Sequence, residues 1–183
     1  MQNIKNLKKT PLRSLLQTER LTLRHFTPED AGFIVKLVNT TGWIRYIGDI
    51  SIHNETQAER YITDGPAKSF ETHGFSSYRI SLSSNNTPVG MCSLIKRDWL
   101  NSPDLGYALL PEFERNGYAF EAAGYCLQEM YNNQHTAQMN AIVSPDNARS
   151  IRLMEKLNFN LSGPVTRPGS TEELLLFTHK NGF

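Results

Sequence analysis

The chain has 183 residues, 39% of them hydrophobic and 20% charged, which is enough to bury one sizeable core and fits one domain better than two. Its formal net charge of +1 provides no broad basic field, so direct binding to nucleic acid has little electrostatic basis. No apolar run approaches the roughly 18 to 20 residues of a membrane span, and the basic start (Lys5, Lys8, Lys9, Arg13) has no hydrophobic stretch behind it, so a soluble cytoplasmic protein with no membrane partner is expected.

Residues 1–18 show no clear period and are expected to form an extended N-terminal arm, leaving 19–183 as a single domain. Leu21-Thr22-Leu23-Arg24 alternates as a strand does. Thr27 then serves as N-cap with Pro28 in the first helical position, and Phe33, Ile34, Leu37 and Val38 form one apolar stripe. Trp43 to His53 reads as a loop rich in bulky groups, and a second helix starts near Asn54-Glu55-Thr56-Gln57 and runs toward His73-Gly74. Ser77–Ser83 and Val89–Lys96 make a hairpin through Asn85-Asn86, and further strands fall at Leu105–Leu110, Gln138–Val143 and Leu174–Thr178. A meander followed by strand-helix-strand units points to an α+β fold, an α/β sandwich around a mixed sheet.

The stretch Gly106-Tyr107-Ala108-Leu109-Leu110-Pro111, followed by Arg115-Asn116-Gly117-Tyr118-Ala119-Phe120-Glu121-Ala122, reads as a strand passing through a glycine turn into a helix. The unpaired N–H groups of the first helical turn, with the positive end of the macrodipole behind them, make an anion site suited to a pyrophosphate. Neither G-x-G-x-x-G nor G-x-x-x-x-G-K-[ST] occurs, which disfavours a dinucleotide or P-loop reading. Leu105, Tyr107 and Leu109 share one face of the strand; Gly106, Ala108 and Leu110 share the other. The bare backbone at Gly106 suits either close approach of a ligand or tight helix packing. Ala119, Ala122, Ala123, Cys126, Leu127 and Met130 form a small-residue helix face able to lie flat on a sheet.

About thirty residues on, Ser144-Pro145-Asp146-Asn147-Ala148-Arg149-Ser150 opens another helix, with Ser144 as N-cap and Pro145 after it. Ile151, Met154 and Leu157 are its buried stripe, and Asn158 takes the left-handed conformation that ends it. Cys92 and Cys126 suit reduced core thiols, and the five histidines (His25, His53, His73, His135, His179) are scattered, so no metal is expected. No G-x-S-x-G elbow of a serine hydrolase is present.

Taken together, the two segments resemble the GNAT superfamily of acyl-CoA N-acyltransferases, most closely the branch that includes the ribosomal-protein N-terminal acetyltransferases. The resemblance implies a mixed, mostly antiparallel central sheet flanked by helices, a splayed V-shaped acetyl-CoA cleft, and a single N-acetyltransferase domain over 19–183. It implies that a bulge splays the strand over Leu105–Leu110 from its neighbour, and that Leu109 and Leu110 contact the pantetheine arm. It also implies that Asn116, Gly117, Tyr118, Ala119 and Phe120 cradle the pyrophosphate, and that Asn147 and Ser150 face the cofactor. The family's first motif position falls on Glu114, a departure that must point away from the phosphates; Arg115, one place late, is either a cation for them or a solvated surface residue. Many relatives carry a tyrosine four residues after the serine, where this chain has Met154, leaving Ser150 or a water to protonate the thiolate.

The implied reaction moves an acetyl group from acetyl-CoA to a primary amine by direct attack in a ternary complex, the acceptor being a protein N-terminus, a ribosomal protein especially, or a small amine. An alkyl ammonium, of pKa about 10.4, must lose a proton before it attacks. Asp104, just before Leu105-Gly106-Tyr107, is the carboxylate best placed in sequence to take it, ahead of Glu112 and Asp98. Backbone N–H groups near Leu109 or Leu110 would polarise the thioester carbonyl. Trp43, Tyr46 and Tyr107, with His53 and Trp99, are candidates for walls of the acceptor pocket. The chain is expected to be a monomer or homodimer, and a noncatalytic acyl-CoA-binding or interaction module of the same fold is the alternative.

Overall fold

A computed structural model of the chain describes residues 11–13, 15–133 and 135–181. In chain order the strands are β1 (Leu15–Gln17), β2 (Leu21–His25), β3 (Ser77–Leu82), β4 (Pro88–Ile95), β5 (Asp104–Leu109), β6 (Gln138–Val143), β7 (Asn160–Thr166) and β8 (Glu173–Lys180). The helices are α1 (Ala31–Val38), α2 (Thr41–Tyr46), α3 (Glu55–Ile62), α4 (Lys68–His73), α5 (Tyr118–Asn132) and α6 (Ala148–Lys156). Among the described residues one eight-stranded sheet has the order β1-β2-β3-β4-β5-β6-β8-β7, with β5 and β6 its only parallel neighbours. The expected mixed, mostly antiparallel α+β architecture is therefore the one observed.

The expected N-terminal arm falls only partly within the described residues. Residues 1–10 and Ser14 lie outside the described residues, but Leu15–Gln17 pairs with β2 as the sheet's first strand, and Leu12 and Leu16 are buried. Strand β7 was not anticipated either: it carries Gly163 and Pro164, poor strand formers tolerated here because β7 is an edge strand. The segment expected as a loop over Trp43 to His53 begins with α2, whose N-cap Thr40 accepts from the Trp43 N–H. The long second helix is real but interrupted: α3, capped by Asn54, continues through a π turn at Thr63–Ala67, which holds Pro66, into α4, which ends at left-handed Gly74.

Two apolar layers sit on opposite faces of the sheet. On one, Ala122, Ala123, Cys126 and Met130 of α5 and Met154 of α6 pack on Tyr78, Cys92, Leu94 and Leu105. On the other, Ile34, Leu37 and Val38 of α1, Trp43 of α2, and Ala58 and Ile62 of α3 pack on Met91 and Leu110. Cys92 and Cys126 are buried free thiols. The second layer is pinned by Asp30, which accepts from both Nη atoms of Arg24 and from Arg79 Nη1, each at 2.7 Å. Burial pushes the Asp30 carboxyl up, but these bonds and the Thr27 N–H outweigh it and hold it below its ordinary value.

Strand β5 lies hard against β4. A Cβ at Gly90 would stand 2.3 Å from Ala108 O and 3.0 Å from Leu109 Cα, whereas a Cβ at Gly106 would meet only Ser93 Cβ at 3.9 Å. Gly90 thus permits the close approach, and tight helix packing is not what Gly106 serves. Gly90→Ala is expected to cost about 1–3 kcal/mol through overpacking against backbone, and Gly106→Ala less than about 1 kcal/mol. Urea midpoints of the two variants, compared with the parent, check this ranking.

Candidate active site

The sheet divides between β5 and β6. Their parallel pairing consists of Asp104↔Asn140, closed by the Asn140 N–H on Pro103 O at 2.8 Å. On its other side β5 stays paired with β4 in unbroken register from Ile95↔Asp104 to Gly90↔Leu109. No bulge in that ladder opens the gap, contrary to the expectation; β5 follows β4 while β6 leaves. The Leu110 N–H donates to Val89 O at 2.8 Å, and backbone groups alternate in direction along an antiparallel ladder. Gly106 and Ala108 therefore turn their N–H and C=O toward β4, and Tyr107 and Leu109 turn theirs into the gap. Of the two amides expected to polarise a carbonyl, Leu110's is already used and its side chain is buried in the α1/α3 layer; Leu109's is the one facing the opening.

At the mouth of the gap, β5 runs through the 3₁₀ turn Pro111–Phe113 into left-handed Arg115 and Gly117 and then α5. Gly117 is the N-cap, and no side chain caps the first turn, so the Tyr118, Ala119 and Phe120 amides begin the helix without that partner. Arg115, Asn116 and Gly117 are exposed. The turn is braced by the residue before β2: Arg20 Nη1 donates to Asn116 O at 3.0 Å, its Nε donates to Glu121 Oε2 at 2.7 Å, and its guanidinium lies over the Tyr118 ring. A hollow of about 420 Å³ beside it is lined by Glu19, Arg20, Phe120 and Glu121. Glu114 forms an ion pair with Arg149 of α6.

The opposite wall is α6. It begins later than Ser144-Pro145 suggested: those residues form a preceding turn, and Asn147 is the N-cap, its Oδ1 accepting from the Ser150 N–H at 3.1 Å. The helix ends as expected, with Asn158 at φ 61° and the Phe159 N–H returning to Met154 O. Met154 is core. Ser150 Oγ stands 2.8 Å from Tyr107 Oη, a hydroxyl pair joining the β5 and α6 sides of the gap.

At the vertex sits Asp104, 3% exposed. Arg97 Nε donates to its Oδ2 at 2.8 Å, while Oδ1 is buried with no donor in bonding geometry among the described residues. Burial pushes the carboxyl up, Arg97 and to a smaller extent Arg167 and the Ile142 amide draw it back, and it rests at about 6. Glu112, the other carboxylate considered, is engaged by Lys36 at 2.7 Å on the surface.

A family model described as an acetyltransferase (GNAT) domain matches residues 20–160. The chain belongs to the GNAT acetyltransferase family. An uncharacterized N-acetyltransferase of Bacillus subtilis, YoaA, is 27% identical over 154 residues, 81% of this chain and 84% of that protein. RimL, a ribosomal L7/L12 α-N-protein acetyltransferase solved with coenzyme A, superposes with a TM-score of 0.78 at 14% identity, over 91% of this chain and 97% of that one. The ribosomal-protein-S5-alanine acetyltransferase of Vibrio fischeri does so with a TM-score of 0.70 at 17% identity, over 92% and 97%.

Of the candidate residues, Tyr107 and Ser150 are brought within 2.8 Å of each other, Asn147 caps the helix that carries Ser150, Gly117 opens α5, and Asp104 is the β5 residue paired with β6. Trp43 does not present its ring to solvent: it is 6% exposed in the α1/α3 layer. Tyr46 is half-buried under Arg45, and Arg45 bonds Asp146 at 2.8 Å, so α2 meets the turn that leads into α6. Among the described residues no group of three or more His, Cys, Asp or Glu is placed to hold a metal, and no helix is long and apolar enough to cross a membrane. Sequence reasoning missed Arg20 and Arg149, since their partners lie 101 and 35 positions away. With coenzyme A as titrant, Glu114→Gln is expected to tighten binding about two- to fivefold at low salt by freeing Arg149 from an exposed pair worth ~0.4–1 kcal/mol. Calorimetry at two salt concentrations checks it, the difference shrinking at the higher one.

Proposed function

We propose that the chain transfers an acetyl group from acetyl-CoA to a primary amine by direct attack within a ternary complex. The observations that support this reading are the start of α5 without a side-chain cap and a preceding strand, β5, that among the described residues pairs with β6 at Asp104 alone. In it the cofactor's pyrophosphate sits on the Asn116–Phe120 amides, and its pantetheine arm pairs with the backbone of Tyr107 and Leu109, taking the place β6 vacates. The thioester carbonyl accepts from the Leu109 N–H, which stabilises the oxyanion as the amine adds. Asp104 accepts the amine's proton, directly or through a water; a carboxyl near 6 is largely ionised at neutral pH yet more basic than an ordinary one.

The two solved structures named above are ribosomal-protein acetyltransferases, which makes a protein N-terminus the first acceptor to test. An α-amino group, of pKa about 8, also asks less of the base than an alkyl amine. The test is free-thiol release from acetyl-CoA across short peptides with free N-termini, polyamines, amino acids and aminoglycosides. Amine-dependent release with at least one class supports the reading. Cofactor binding with no release in any arm favours a noncatalytic acyl-CoA-binding module.

The pH profile follows from Asp104. Its base form is lost as pH falls through about 6, so kcat/KM for acetyl-CoA at saturating acceptor should drop on that side. Asp104→Asn should lower the neutral-pH rate about a hundredfold, the low end for a general base, and abolish that limb. An unchanged limb in the variant would remove Asp104 from the role.

A further inference from the structure

One contact in the gap is left unexplained by cofactor binding and amine deprotonation. The Tyr107 side chain stands on the α5/α6 face of β5 and ends 2.8 Å from Ser150 Oγ. Among the described residues neither hydroxyl bonds a carboxylate, and Glu114 and Asp146 are engaged by Arg149 and Arg45. One turn beyond Ser150 the same helix face carries Met154, buried and without a proton to give. Ser150 itself is fixed in the first turn of α6 by Asn147, where the helix end favours developing negative charge.

We infer that Tyr107 acts through Ser150 as a two-hydroxyl relay that protonates the departing thiolate. The inference rests on the acetyl-transfer reading above. As the tetrahedral intermediate collapses, the C–S bond breaks and its electron pair goes to sulfur. The Ser150 Oγ proton moves to sulfur, the Tyr107 Oη proton moves to Ser150 Oγ, and the Tyr107 phenolate is refilled from water. The nitrogen's surplus protons leave through Asp104 to solvent, so one proton is released overall for each ammonium acetylated. Burial raises the Tyr107 phenol, with Ser150 and Arg149 drawing it back only in part, so the proton stays on oxygen until sulfur carries charge. Tyr107 touches Ser150 rather than sulfur and is therefore a positioning residue whose value depends on how badly the leaving group needs a proton.

That dependence is the test. Tyr107→Phe keeps the ring and its packing, and thermal melting confirms the fold. With whichever panel amine is fastest, Tyr107→Phe should lower kcat on acetyl-CoA about ten- to hundredfold and leave KM for acetyl-CoA within about twofold. On the acetyl selenoester of the selenol analogue of coenzyme A, whose leaving group is far more acidic, both Tyr107→Phe and Ser150→Ala should run within about threefold of the parent. The double variant should lose no more on acetyl-CoA than the worse single one, because the two hydroxyls act as a unit. Equal losses on thioester and selenoester, additive losses, or no loss in Tyr107→Phe would each overturn the relay while leaving acetyl transfer intact. A parent chain that acetylates no amine would instead bring down the acetyl-transfer reading, and the relay with it.

Discussion

The organisation of this molecule follows from a strand in mid-sheet that is hydrogen-bonded along one edge and released along the other. Strand β5 is held over its length by β4 and, among the described residues, pairs with β6 at its first residue alone. Sheet interiors normally pair every peptide group, and a buried one left without a partner costs about 1–3 kcal/mol. A gap of this kind persists only if something else fills it, water or a ligand whose own amides are arranged like a strand. Closeness on the β4 side is what allows the release: Gly90 takes the crowding from Ala108 and Leu109 that a side chain would forbid.

Everything with chemical potential is arranged along that opening in an order that suits one long ligand. The mouth holds the amides of an uncapped helix start, braced by Arg20 and Glu121 and relieved of Glu114's charge by Arg149. The middle holds the free backbone of Tyr107 and Leu109 and the hydroxyl pair of Tyr107 and Ser150. The vertex holds a carboxyl that burial keeps near 6. On the proposed reading, an anion site, a strand-like slot, a proton donor and a proton acceptor follow one another from the surface to the closed end.

Much of this was legible before any coordinates. The alternation of Leu105, Tyr107 and Leu109 against Gly106, Ala108 and Leu110, the small-residue face of α5, and the left-handed Asn158 are local consequences of period and backbone preference, and each stands where expected. What escaped was of two kinds. Strands β1 and β7 owe their form to a neighbour rather than to their own pattern: three residues carry too little period, and Gly163 and Pro164 argue against a strand unless an edge is known. The helical α2 was hidden because Trp43-Ile44-Arg45-Tyr46 has too few turns to show a stripe. In the site, the departure at Glu114 looked like a defect because its partner on α6 is set by the fold, and the start of α6 shifted because Asn147 outcompeted Ser144 as cap.

The central claim, that the α5 amides and the free edge of β5 receive coenzyme A together, is tested most directly by titrating the isotopically labelled chain with coenzyme A and following backbone amide resonances. The largest shifts are expected at Asn116, Gly117, Tyr118, Ala119 and Phe120 and, along the strand, at Tyr107 and Leu109, with Gly106 and Ala108 less affected because β4 holds them. Saturable shifts confined to another surface, or no shifts at millimolar ligand, would contradict the account.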